Sequence, residues 1–127
     1  MKARVSDLRG LLRLAGAQLQ AERARMGRLA AEAERIRARL AAIEADRRAQ
    51  LVDLRADDIF VRSGAALDWQ RWIDARKALL TRDLARVRAG IEEGRPALAR
   101  AVGREHAVRA LLDEAGAEAR RARSRRD

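Results

Sequence analysis

The chain has 127 residues, and 29 Lys and Arg against 19 Asp and Glu leave a formal charge of +10. Of the 48% that are hydrophobic, 29 residues are Ala and only 28 are Leu, Ile, Val or Phe, barely above the roughly one-fifth at which charged chains stay disordered, so a thick globular core is excluded. There is no Cys and a single His, His106, which excludes disulfides, thiol catalysis and Cys/His metal sites.

Charged residues at 38%, with Ala, Leu, Glu and Arg dominant, match a coiled coil or long helix. No run of about 18 apolar residues exists, and Arg13 interrupts the Leu-rich stretch at Leu11–Leu14, so neither a membrane span nor a secretory signal is expected. The basic, amphipathic start carries Asp7 and its spacing continues far beyond a cleavable length, which reads as mature structure.

From Leu8, steps of four and three reach Leu12, Ala15, Leu19, Glu22, Met26, Leu29, Ala33, Ile36, Leu40, Ile43, Arg47, Gln50 and Leu54. Eleven of these fourteen positions are apolar and the residues between them are largely charged, which is a heptad seam. The spacing predicts a helix over about 6–56, roughly 75 Å long at 1.5 Å per residue.

The pattern stops at Asp57-Asp58, followed by Ile59-Phe60-Val61 and Ser63-Gly64, so residues 57–64 are predicted to turn. Ser63 is suited to cap the next helix and Phe60 to staple back onto it. A second seam runs through Ile73, Arg76, Leu80, Leu84, Val87, Ile91, Gly94, Leu98, Ala101, Glu105, Val108, Leu112, Ala115 and Ala119, with two consecutive fours around Leu80 that predict a local slip in the supercoil. The second helix is expected over about 65–120. Pro96 removes one backbone hydrogen bond, at about 3 kcal/mol, and is read as a tolerated kink. Residues 121–127 have no apolar side chain larger than Ala and are predicted to form a frayed basic tail.

Two long helices joined by a short turn bury their seams against each other. The expected fold is therefore all-α, a single antiparallel coiled-coil hairpin over residues 1–127. With the turn near Val61, facing residue numbers sum to about 122, setting Leu8 near Glu114, Ile36 near Arg86 and Leu54 near Asp68.

No Gly-rich phosphate loop, nucleophile-base pair or metal-ligand cluster occurs, so an enzyme is not expected. His106 reads as a solvated or seam-edge residue, and Asp57-Asp58 and Glu92-Glu93 as surface or turn acids. Trp69 and Trp72 lie one helical turn apart and share a face. They either cap the hairpin end against Phe60, Leu51 and Leu54 or form an aromatic patch for a partner. The spacing sets Trp72 and Ile73 beside the seam and Trp69 out at the hairpin end.

The stretch Leu67-Asp68-Trp69-Gln70-Arg71-Trp72-Ile73, followed by Leu79-Leu80, on a small charged hairpin with a basic end, resembles the FliJ/YscO-type stalk proteins of flagellar and type III export machines. Trp stands here where that family commonly has Tyr or Phe. The high Ala and Arg content and Pro96 also depart from its pattern. The resemblance implies a cytoplasmic, non-enzymatic protein without cofactors, held at the inner face of the membrane through its partners. It also implies that the paired ends enter a hexameric export ATPase, that the surface nearer the turn meets the export-gate membrane protein, and that substrate chaperones are further partners. On this analogy Leu8, Leu11, Leu12, Val108, Leu111 and Leu112, with Arg120, Arg121 and Arg123, lie at the ATPase end, and Trp69, Trp72 and Ile73 toward the gate. The charge of +10 keeps a basic coiled coil that binds nucleic acid as the alternative, and an intermolecular coiled coil as a third reading.

Overall fold

The computed structural model describes residues 2–53, 59 and 64–127 and consists of two long helices that pack against each other, with no strand among the described residues. The first, α1, spans Lys2–Asp53, and the second, α2, spans Ala65–Arg126. Both are rich in Ala, Leu, Arg and Glu, the residues with the lowest cost in a helix. Ion pairs one turn apart, such as Arg37 with Glu34 and Arg86 with Asp83, add a few tenths of a kcal/mol each.

Gly64 opens α2. Its φ of 81° lies in the left-handed region that costs glycine little, and its carbonyl accepts the first helical bond, from the Asp68 N–H at 3.1 Å. Gly64 thus holds the capping position expected of Ser63. Ser63 itself lies outside the described residues, as do Asp57-Asp58, Phe60, Val61 and Leu54.

The helix expected to end near residue 120 continues to Arg126, so the basic stretch is not a frayed tail. Three causes act together. Arg and Ala are good helix formers; Arg123, Arg125 and Arg126 lie in the last turn, where cations meet the negative end of the helix dipole; and Ala122 is half-buried against α1 residues. Asp68 in the first turn complements the other end.

The α1 seam is as expected: each of its thirteen described positions, from Leu8 to Gln50, is buried or half-buried. The α2 seam differs at one place. Arg76 is exposed, and its neighbour Lys77 turns inward to pair with Glu44 of α1. With Lys77 in place of Arg76 the steps alternate four and three from Ile73 to Ala119, and the expected slip disappears. Pro96 falls at the outermost position of this repeat and is exposed, so α2 runs through it without disturbing the seam. Met26 meets Gly94 across the seam, two residues from the partner that a sum of 122 assigns it.

The helix pair divides into two compact units. The first joins Met1–Gly27 to Glu92–Asp127, and the second is Arg28–Ile91. In the second unit Ala33, Ile36, Leu80, Leu84 and Val87 form a continuous buried cluster, with Leu29, Leu40, Ile43 and Ile91 packed on it. Ile36 thereby sits against Leu84 and Val87, which bracket the expected Arg86. In the first unit the buried seam is made of Leu8, Ala15, Leu19, Gly94, Ala101, Glu105 and Ala115. The register there is marked by the Arg4–Glu118 ion pair at 3.8 Å, whose numbers sum to the expected 122.

Candidate functional site

The described residues contain no group of three or more His, Cys, Asp or Glu able to hold a metal ion. Exposed aromatic, aliphatic and arginine side chains are the distinctive surface features, and the two units carry them differently.

In the second unit the α2 segment after Gly64 exposes one aromatic face. Trp72 is 59% exposed, and the Arg76 guanidinium carbon stands 5.9 Å from its ring centre, within cation–π range. Leu79 follows at helical spacing and is also exposed. Trp69 is half-buried and Ile73 is buried in the seam at 3% exposure. The expected roles of the two tryptophans are therefore exchanged: Trp72, placed beside the seam from the sequence, faces solvent, and Trp69 flanks the seam. The reason is helical phase. Ile73 occupies the seam, and its sequence neighbour Trp72 lies about 100° around the helix from it. Because Trp72 faces solvent, the two rings do not both clasp the hairpin end; Phe60 and Leu54, two of the residues expected in that clasp, lie outside the described residues. Ile73 is a seam residue and offers no free surface to a partner.

In the first unit the expected contact residues separate in the same way. Leu8 is buried in the seam, while Leu12, Val108 and Leu112 are half-buried at seam positions, Val108 and Leu112 each lining a surface cavity as well. Leu11 and Leu111 are exposed, as is Leu14, which the sequence reading did not single out. Leu11 and Leu14 lie beside Ala107, Val108 and Arg104 in a shallow apolar groove. Heptad position would have identified Leu14, since it falls on the flank that Leu11 occupies, one turn on.

Arg120, Arg121 and Arg123 are exposed on the continuous helix. On one flank a cleft opens between the helices, lined by Val5, Ser6 and Arg9 from α1 and by Ala119, Ala122, Arg123 and Arg126 from α2. Beside it, Arg9 and Val5 also face Leu112, Asp113, Gly116 and Arg120. Arg121 and Arg125 line neither cavity.

The seam of the first unit also carries two acids. Glu105 is 7% exposed and accepts hydrogen bonds from Arg109, with Nε at 2.9 Å. Glu22 has one carboxylate oxygen, Oε2, buried without a hydrogen-bond partner. The exposed His106 lies 3.9 Å from Glu105 at the seam edge. Glu92, one of the paired surface acids, bonds Arg95 at 3.0 Å. In the second unit, the Lys77 ammonium donates to Glu44 and holds its carboxyl below its ordinary value; desolvation is the main opposing influence, and the charges of Lys77, Arg47 and Arg48 add to the lowering.

Comparisons with protein families, with curated proteins and with solved structures find no match to this chain.

Proposed function

We propose that this chain is a stalk or adaptor of a flagellar or type III protein export ATPase, linking the hexameric ATPase to the export gate and serving substrate chaperones as well. The observation that carries this reading is the continuation of α2 through its arginines to Arg126, paired with α1, where a frayed tail was expected. A stalk that enters a ring needs an ordered, charged helical surface at that place, and the first unit provides one. The exposed Trp72, with Arg76 and Leu79, supports a second contact surface for the gate protein in the second unit.

The chain contributes no catalytic group in this reading. It acts by touching ring subunits unequally, and such differential contacts shift which conformation each subunit adopts. No helix among the described residues is long and apolar enough to cross a membrane, in keeping with attachment to the inner membrane face through partners, on the cytoplasmic side.

Titrating the chain into its cognate export ATPase tests the proposal. Ring assembly, followed by sedimentation, and the hydrolysis rate are both expected to rise; no change in either overturns the reading. Trp72→Ala is expected to leave the ATPase effect intact and to weaken capture of the gate protein.

The alternative of nucleic-acid binding is favoured by one feature, the five arginines within residues 120–126. Fluorescence anisotropy with DNA or RNA at low ionic strength separates the two. Binding that collapses as salt rises, together with an unaffected ATPase, selects the nucleic-acid reading.

A further inference from the structure

The cleft between the start of α1 and the last turns of α2 is basic at its rim and apolar at its floor. Exposed Arg9, Arg123 and Arg126, with Ser6, form the rim, and half-buried Val5, Ala119 and Ala122 form the floor. None of the three guanidiniums is in an ion pair or side-chain hydrogen bond among the described residues. The neighbouring acids do not neutralise them: Glu118 pairs with Arg4 at 3.8 Å, Asp7 is not among the lining residues, and Asp113, which faces Arg9 in the adjoining cavity, makes no ion pair with it. Three like charges gathered around one concavity repel each other, and an anion placed among them relieves that repulsion.

We infer that this cleft binds an acidic segment of a partner protein, one that carries aliphatic side chains between its carboxylates. A guanidinium offers paired N–H donors in a planar fork that matches a carboxylate, which makes arginine the suited residue for such a contact. Arg123 and Arg126 stand three residues apart on one helix, so carboxylates about one helical turn apart meet both. The floor takes the aliphatic group between them.

The same geometry weighs against other anions. Single-stranded nucleic acid gains much of its affinity by stacking bases on aromatic rings, and the cleft has none. An anionic membrane surface is met by apolar side chains that protrude into it, whereas here the apolar atoms are recessed. The inference deepens the stalk proposal by naming the chemistry of its partner, and it rests on that proposal only for which protein supplies the segment.

The test uses the full chain and a fluorescent synthetic peptide with glutamates and leucines at helical spacing, read by anisotropy. Binding is expected to weaken about tenfold or more in the double variant R123Q/R126Q, since each removes a charge-assisted contact. The variant R82Q/R88Q loses the same charge at exposed positions of the other unit and is expected to change affinity less than about threefold, since distant surface charges act on binding only through screened long-range attraction. Circular dichroism verifies that both remain helical. Equal weakening by the two variants overturns the inference, as does equal affinity for a peptide with serine in place of leucine. Tighter binding to oligodeoxythymidylate or to phosphatidylserine vesicles than to the peptide overturns it too. Export ATPase that binds wild type and R123Q/R126Q alike removes the cleft as the contact and leaves the stalk proposal standing. Peptide binding with the expected dependence, but no ATPase binding, leaves the cleft and removes the stalk.

Discussion

The two units use the same heptad repeat to different ends. Arg28–Ile91 fills its seam with Ile36, Ile73, Leu80, Leu84 and Val87, side chains whose burial supplies about 1.5–3 kcal/mol each. The unit of Met1–Gly27 and Glu92–Asp127 fills much of its seam with Ala15, Gly94, Ala101 and Ala115, which bury little area, and admits Glu22 and Glu105. Repeat spacing sets which residues face inward. Side-chain size and polarity then decide how strongly the pair is held. The second unit is built for cohesion, while the first keeps its helices in register with a weak seam and turns unpaired arginines outward.

The largest expected effect tests the cohesive unit. Ile36→Ala opens a cavity in the Leu80, Leu84 and Val87 cluster and is expected to cost about 2–5 kcal/mol in chemical denaturation. Leu14→Ala removes an exposed leucine from the first unit and is expected to stay within about 0.5 kcal/mol. Equal losses would erase the contrast between a packed seam and a free apolar surface.

Next in size is Glu22→Leu. It removes a carboxylate oxygen that is buried without a partner and adds apolar area to the weak seam, so a gain of about 1–3 kcal/mol is expected in the same assay. A loss would mean that the carboxylate is held by a contact of real worth.

Smaller again are two glycines in the first unit. Gly103→Ala projects a methyl into open space on a helix and is expected to raise stability by about 1 kcal/mol. At Gly94 the same methyl would stand 2.6 Å from Met26 Sδ and 3.2 Å from Arg25 Nη1, so Gly94→Ala is expected to forfeit that gain or reverse it. Thermal melts of the pair compare the two sites directly.

The smallest expected effect is the pH response of Glu44. Its carboxyl is held below the ordinary value of 4.5 in the folded chain, chiefly by the Lys77 hydrogen bond. The unfolded chain then takes up the proton first as pH falls, so the pair's contribution is complete above about pH 4.5 and disappears as pH drops through the folded value. Glu44→Gln is expected to flatten melting temperature against pH in that window, with little change at neutral pH.

Much of the fold was legible because burial follows a four-three count that a sequence displays openly. Every described position of the α1 seam follows it. The choice between Arg76 and Lys77 was not legible, since both are long and basic and either can lay its stem along a seam. Glu44, on the other helix, decides it. The exposure of Trp72 was obscured by its adjacency to the seam residue Ile73, because neighbours in sequence lie about 100° apart around a helix and do not share a face. The order of residues 121–126 was missed by weighing apolar content alone, without helix propensity and the dipole at the last turn. The basic cleft has no linear signature, because Arg9 is far in sequence from Arg123 and Arg126 and the hairpin alone joins them.

Amide hydrogen exchange, measured on the chain alone and with its export ATPase, tests most directly whether the first unit is the surface that receives the ATPase. With the ATPase present, protection is expected to rise across residues 1–27 and 92–127, where the free chain opens most readily, and to remain unchanged across 28–91. Protection confined to 28–91, or exchange that the ATPase leaves unaltered everywhere, would contradict the account.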